Sequence, residues 1–383
     1  MSYINKSRIL IVGLLCMLSS APVALNAQQR TWTANNGTST FRAELVNAYG
    51  STVYFHKEDD GFIHLPITFL APYDIARVLD WANKRDAQPQ GIMMNSSGLV
   101  TKAVCKQWPN RIIGDRTNED EDINNLVEPR IYAILTIRKE TYDLIDRVSA
   151  LSAADADVTA ADPKFMETLV LTSRKENELK AIRYILAKHG GEWLMPNEWQ
   201  YKDNKELWND YWRLPDVNVI VLDPQGNILC DGSGKEADGS PSNPVAFINE
   251  MAVIAKRMSA GGPSVPNPII NMDAVDKLIN GLIEQKKDNP GPAPIIMDLS
   301  GIDPETTKKM EGKSFQVTMV INAKGRVESL TMKTGGDADD EEALRRASTL
   351  WQFVPTIKDG VPEIKTVVAP IRVKAPKPAA EAK

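Results

Sequence analysis

The stretch Val217 to Cys230, "VNVIVLDPQGNILC", constrains the fold more than any other part of the chain. Val217 to Leu222 is apolar and mostly β-branched, with Asn218 its one polar residue, which is strand composition. Asp223-Pro224-Gln225-Gly226 supplies turn chemistry, with Pro at the second position and Gly at the fourth. Asn227 to Cys230 returns, so the segment predicts a hairpin. Upstream, "RIYAILTI" and "METLVLTS" read as strands, each followed by a helical pattern. In the second of these helices Leu179, Ile182, Ile185 and Leu186 share one stripe. "PVAFINEMAVIAKRM" closes the region as a helix. Strand–helix–strand–helix–hairpin–helix predicts an α/β layer containing a parallel pair.

That layer occupies a third of the chain. The full 383 residues leave room for two or three domains, and 43% apolar with 25% charged residues is a globular composition. A net charge of -5 offers no basic stripe for nucleic acid. At the start, Lys6 and Arg8 precede the apolar run "ILIVGLLCMLSSAPVALNA". Residues 1–27 read as an export signal ending at Ala27, and the rival reading is an uncleaved anchor. The run is short and polar for a span, which needs about 20 apolar residues. Export predicts a periplasmic or secreted protein, held at a membrane only if the segment stays uncleaved. Cys105 and Cys230 are then the pair available for a disulfide; two small buried apolar side chains is the equal alternative.

The remaining chain divides by composition. Residues 28–84 hold short strands, an Asp60-Gly61 turn and the helix "APYDIARVLDWANK". Residues 85–126 are polar, lack periodicity and read as a linker before the α/β region at 127–258. A second linker, 259–312, carries the amphipathic helix "MDAVDKLINGLIEQKK", whose apolar stripe is expected to pack on its neighbours. Residues 313–374 give a hairpin turning at Ala323-Lys324-Gly325, a helix and two edge segments; 375–383 read as a disordered tail.

Chemistry is thinly represented. Thiol–disulfide exchange needs a thiolate at a helix N-terminus with a second thiol one turn on. The place for it, just after "RIYAILTI", reads "RKETYDLI". His56 and His64 face each other across a hairpin without a third ligand, and His189 sits at a helix end beside Gly190, so metal and Ser–His–acid chemistry lack support. "GGDADDEE" lacks the register of a calcium loop and fits an acidic helix start. Trp193, Trp199, Trp208 and Trp212 crowd one region, where packing and a glycan- or peptide-stacking groove are the two readings. No cofactor is expected.

Three resemblances follow. Arg30, Trp32 and Thr33, Ala43-Glu44-Leu45-Val46, Val53 to Phe55, Asp60-Gly61, Leu65-Pro66, and Leu70 with Asp74 resemble the SLA homology domain, an SH3-like peptide- or protein-binding fold. The middle region, with Pro215 ahead of the hairpin, is similar to the thioredoxin-like family without its C-x-x-C motif. The third region resembles the C-terminal domain of TonB, the energy transducer of outer-membrane uptake, through Trp351, Phe353, Pro355, Gly360 and Pro362. The expected fold class is multidomain α+β: an SH3-like β domain, a thioredoxin-like α/β domain and a small β-β-α-β TonB-like domain. The resemblances mark Trp32, Trp351, Phe353, Pro355 and Gly360 as candidate binding residues. They imply a non-catalytic exported adaptor acting on envelope proteins or peptides. A TonB-type component of transmembrane transport, engaging outer-membrane receptors, and an atypical thiol oxidoreductase are the alternatives.

Overall fold

The computed structural model describes residues 29–58, 61–107, 110–113, 116–117, 126–172, 176–195, 216–235 and 240–373. The export signal, Pro215, Trp199, Trp208, Trp212 and the tail expected at 375–383 lie outside them. The chain divides into two compact units. Arg42–Leu65 and Asp86–Ser264 belong to the first, while Thr31–Phe41, Pro66–Arg85 and Val265–Lys383 belong to the second. The segment 28–84, expected as one SH3-like domain, is therefore shared between them. So is the sense of both linkers altered: 86–126 belongs to the first unit, and Arg85 with most of 259–312 to the second.

In chain order the N-terminal elements are β1 (Arg30–Thr33), β2 (Thr40–Tyr49), β3 (Thr52–Lys57), β4 (Phe62–Pro66) and α1 (Pro72–Ala87). In the first unit α2 (Leu99–Gln107), β5 (Asn110–Ile113) and β6 (Arg116–Thr117) follow. Then come β7 (Ile131–Ile137), α3 (Leu144–Ala161), β8 (Met166–Thr172), α4 (Glu176–His189) and β9 (Trp193–Met195). The hairpin β10 (Val217–Leu222) and β11 (Ile228–Asp231) and the helix α5 (Pro244–Ser259) complete it. A seven-stranded sheet runs β11-β10-β7-β8-β9-β5-β6. β7 is antiparallel to β10 and parallel to β8. The order β11-β10-β7-β8, with the predicted strand–helix–strand–helix–hairpin–helix connectivity, is a thioredoxin-like arrangement.

Both faces of this sheet are covered, the condition that parallel pairing normally requires. Ile131, Ala133, Leu135 and Ile137 join the core with α3, α4 and α5, while Tyr132 and Ile134 enter a second core with Met93 and Val104 of the expected linker. α2 is docked there by a half-buried carboxylate. Thr101 Oγ1 donates to Glu128 Oε1 at 2.6 Å, Ser96 Oγ donates to the same oxygen, and the Tyr132 hydroxyl lies 2.8 Å from Thr101 Oγ1. A nine-residue helix held by side chains remote in sequence carries too little periodicity to announce itself. On the other face Asp155 of α3 accepts from Thr168 Oγ1 at 2.8 Å and from Trp193 Nε1 at 3.1 Å. Trp193 is thus a core residue. The hairpin turn is clamped by buried Asp223, which accepts from Asn227 Nδ2 at 2.7 Å, the Asn227 and Gln225 amides, and Asn47 Nδ2 at 3.2 Å.

The second unit adds α6 (Met272–Glu284), β12 (Ala293–Ile296), α7 (Pro304–Met310), β13 (Ser314–Ile321), β14 (Val327–Thr334) and α8 (Ala338–Ala347). β15 (Gln352–Val354), β16 (Thr356–Lys358), β17 (Val361–Glu363) and β18 (Lys365–Arg372) close it. The main sheet is three-stranded, β14-β13-β18, with β18 at one edge. Phe315, Val317, Met319 and Ile321 of β13 face a core shared with Leu344, Trp351 and Ile371. The intervening residues look away from that core, as a one-sided sheet requires. Pro370 pairs with Gln316 in β18, an edge position suited to a residue without an N–H. α8 opens on the acidic run, where Asp337 and Asp340 form a reciprocal capping box. The stripe of α6 packs Val275 and Ile279 on Ile270 and Ile296. Within this unit α1 is tied to β1 by the Thr33 amide donating to Asp74 Oδ2 at 2.7 Å, and to α8 by Arg345, which bonds Asp80 and Glu342.

Candidate functional site

Four of the five residues marked by resemblance are packed inside the second unit. Trp32, Trp351 and Phe353 are almost wholly buried, and Pro355 is buried too. Trp351 Nε1 donates to the Asp298 carbonyl at 2.6 Å, and the Phe353 amide to the Gly325 carbonyl at 2.8 Å. Gly360 follows Asp359 in the turn between β16 and β17, with φ of 76° and 53°. Two successive positive φ values define a hairpin turn that favours glycine. A side chain in the core offers a ligand no face, so Trp32, Trp351, Phe353 and Pro355 shape the fold.

The two cysteines are not joined. Cys230 pairs with Val221 and faces the core under α5, whereas Cys105 packs against the opposite sheet face beside Ile228 and Leu126. The sheet stands between them, which is why the disulfide left open by the sequence does not form. Burial, helped by the charge of Glu128, pushes the Cys105 thiol above its ordinary pKa. Since the thiolate is the nucleophile, this environment suppresses thiol chemistry. Among the described residues no group of three or more His, Cys, Asp or Glu side chains is placed to hold a metal. His56 stacks on Phe62 with ring centres 4.7 Å apart, and His64 lies against Tyr54.

In open α/β sheets ligands favour the crevice beyond the carboxyl ends of the strands. Here that rim is built from the end of β7, the start of α3 and the start of β10. The antiparallel register sets Ile137 beside Val217, bringing Arg138 next to Asp216. The Arg138 amide donates to the Asp216 carbonyl at 2.7 Å, and their side chains pair at 3.6 Å. Asp143 precedes α3, and Arg147 Nε one turn later donates to its carboxylate at 2.6 Å. Hydrogen bonds from Thr141 and Arg147 hold the Asp143 carboxyl below its usual pKa. Arg147 also reaches the Val217 carbonyl at 3.5 Å.

The same segment carries two uncovered apolar side chains. Tyr142 is fully exposed, at 101% of its reference area, and Ile145 three residues later is 44% exposed. Tyr142 lies in the turn before α3, and Ile145 in the first turn of the helix. The arrangement can dock a partner through an aromatic anchor ringed by charge, and among the described residues of the rim none is a thiol. The sequence contained Tyr142 in plain view within "RKETYDLI", but strand and helix patterning carries no signal for which rim residue is left uncovered.

The chain is similar to several solved structures. One is a secreted Mycobacterium tuberculosis disulfide oxidoreductase homologous to E. coli DsbE, at 11% identity over 37% of this chain and 94% of that one, with a TM-score of 0.26. Another is a thioredoxin from Wuchereria bancrofti, at 15% identity over 37% and 94%, TM-score 0.27. A third is a thiol:disulfide interchange protein from Bacteroides sp., at 15% identity over 40% and 90%, TM-score 0.23. Likeness at this level carries no functional weight. No family model matches the chain. No curated protein matches it either.

Proposed function

We propose that this is an exported, non-catalytic binding protein of the cell envelope that recognises proteins or peptides. The observation carrying the reading is the fully exposed Tyr142, just before α3, at the rim where a thioredoxin-like fold would hold its redox thiols. Exposed aromatic and arginine side chains are the residues that most often dominate binding energy. A half-buried Cys105 with a raised pKa speaks against the thiol oxidoreductase alternative. The test is affinity capture from envelope extracts with the mature chain and with Tyr142→Ala. The expected result is a specific partner held by the first and lost from the second, an effect of about 30-fold in affinity for a hot-spot tyrosine. Equal capture by both proteins would remove the rim from the proposal.

A second reading concerns the other unit, whose β18 ends its sheet with Val368 49% exposed. An open edge can accept an extended peptide by strand addition. This supports peptide docking of the kind a TonB-like domain would perform, and energy coupling would further require a membrane anchor. Among the described residues no helix is long and apolar enough to cross a membrane.

A further inference from the structure

A cleft of about 290 Å³ lies wholly within the second unit, between α7 and α8. Its floor is small or apolar: Gly301, Ile302 and Ala343. A Cβ on Gly301 would stand 2.7 Å from Ala347 Cα, so the loop presses directly on α8. Its walls are charged with both signs. Asp339, Glu342 and Arg346 project from one stripe of α8, and Asp303, Thr306 and Lys309 belong to α7 and its cap.

Most wall charges answer one another. Arg77 pairs with Asp303 at 3.2 Å, Lys313 with Asp340 at 2.7 Å, and Arg346 with Glu342 at 3.7 Å. Two do not. Among the described residues the side chains of Lys309 and Asp339 make neither an ion pair nor a hydrogen bond, though both line the cleft. Arg77 Nε is in addition buried without an acceptor. An unpaired cation and an unpaired anion therefore line one small space with an apolar floor.

We propose that this cleft binds a small zwitterion of amino-acid to dipeptide size. The ligand's carboxylate would face Lys309 and Arg77, its ammonium would face Asp339, and its short carbon frame would rest on Ile302 and Ala343. A simple anion is disfavoured by the five carboxylates of the walls, from Asp303, Asp337, Asp339, Asp340 and Glu342. An apolar ligand would have to desolvate those charges without replacing their partners.

The test titrates the mature chain with L-alanyl-L-alanine, followed by amide NMR shifts and calorimetry. Saturable millimolar binding is expected, with shifts centred on α7 and α8. Blocking either end of the dipeptide, by N-acetylation or C-amidation, should weaken it about tenfold, as should Lys309→Gln or Asp339→Asn. Both side chains are exposed, so these variants keep the fold. No saturable shift up to the solubility limit would overturn the proposal. Equal binding by a blocked dipeptide, or by either variant, would do so as well.

Discussion

β7 buries all seven of its residues, whereas β13 alternates exposed and buried positions along eight. The first lies at the middle of a sheet covered on both faces, and the second crosses a sheet covered on one. The contrast decides where each unit can meet other molecules. In the first unit the strands are out of reach, and recognition is confined to a rim of loop and helix ends. In the second a sheet face and a strand edge stand open, along with a charged cleft.

The largest test of that contrast is truncation on each sheet. Leu135→Ala, within the doubly covered strand, should cost about 2–5 kcal/mol in chemical denaturation. Val368→Ala, on the open face of β18, should stay within about 0.5 kcal/mol. Similar costs at the two sites would break the comparison.

Buried carboxylates sharpen it. Burial pushes Asp80 of α1 upward, but hydrogen bonds and charge from Arg345 and Lys84 outweigh it and hold the group below its usual pKa. Such a group stabilises the fold above the unfolded pKa, about 3.9, and loses that contribution as pH falls through the lower folded value. Asp80→Asn should cost about 2 kcal/mol at neutral pH, between the surface and buried limits for breaking a pair. It should also flatten the acid limb of the second unit's stability curve. Asp223, in the first unit, is opposite: burial raises its pKa despite its hydrogen bonds to Asn227 and Asn47. Its titration favours folding below the unfolded pKa, and this part is lost as pH rises through the raised value. Stability measured against pH with and without Asp223→Asn checks the sign; a variant whose stability falls relative to wild type on raising the pH would contradict it.

Smaller effects concern thiols and the rim. Cys105 should react with a disulfide reagent more slowly than a free thiol near neutrality, and faster as pH rises, because its pKa is raised. A rapid reaction at neutral pH would restore the oxidoreductase alternative. Tyr142→Ala should leave stability within about 0.5 kcal/mol, because the ring touches little of its own fold. A larger loss would mean that the ring supports the unit rather than serving recognition.

Local pattern carried much of this architecture. "RIYAILTI" and "METLVLTS" became β7 and β8, and the Asp223–Gly226 turn joined β10 to β11. The expected helix "DEEALRRASTLWQF" supplied most of α8 but stops at Ala347, and its Gln352 and Phe353 enter β15 instead. What stayed hidden depends on distant partners. α2 is read as linker because Val104 and Thr101 meet their neighbours only once β7 is in place. β12 exists by pairing with β15, more than fifty residues on. The candidate sites were harder still. Motif residues such as Trp351 and Phe353 stand out because packing fixes their identity, while Tyr142, Lys309 and Asp339 are exposed and look like any other surface residue.

Pro370 has a consequence for assembly. The Val373 amide, three residues on, bonds back to the Lys313 carbonyl, and donors alternate sides along a strand, so Pro370 falls in the row directed away from β13. A chain arriving at that border would find Thr366 and Val368 ready to donate and then a gap. Short guests can be accommodated, yet copy-upon-copy fibre growth meets a built-in stop.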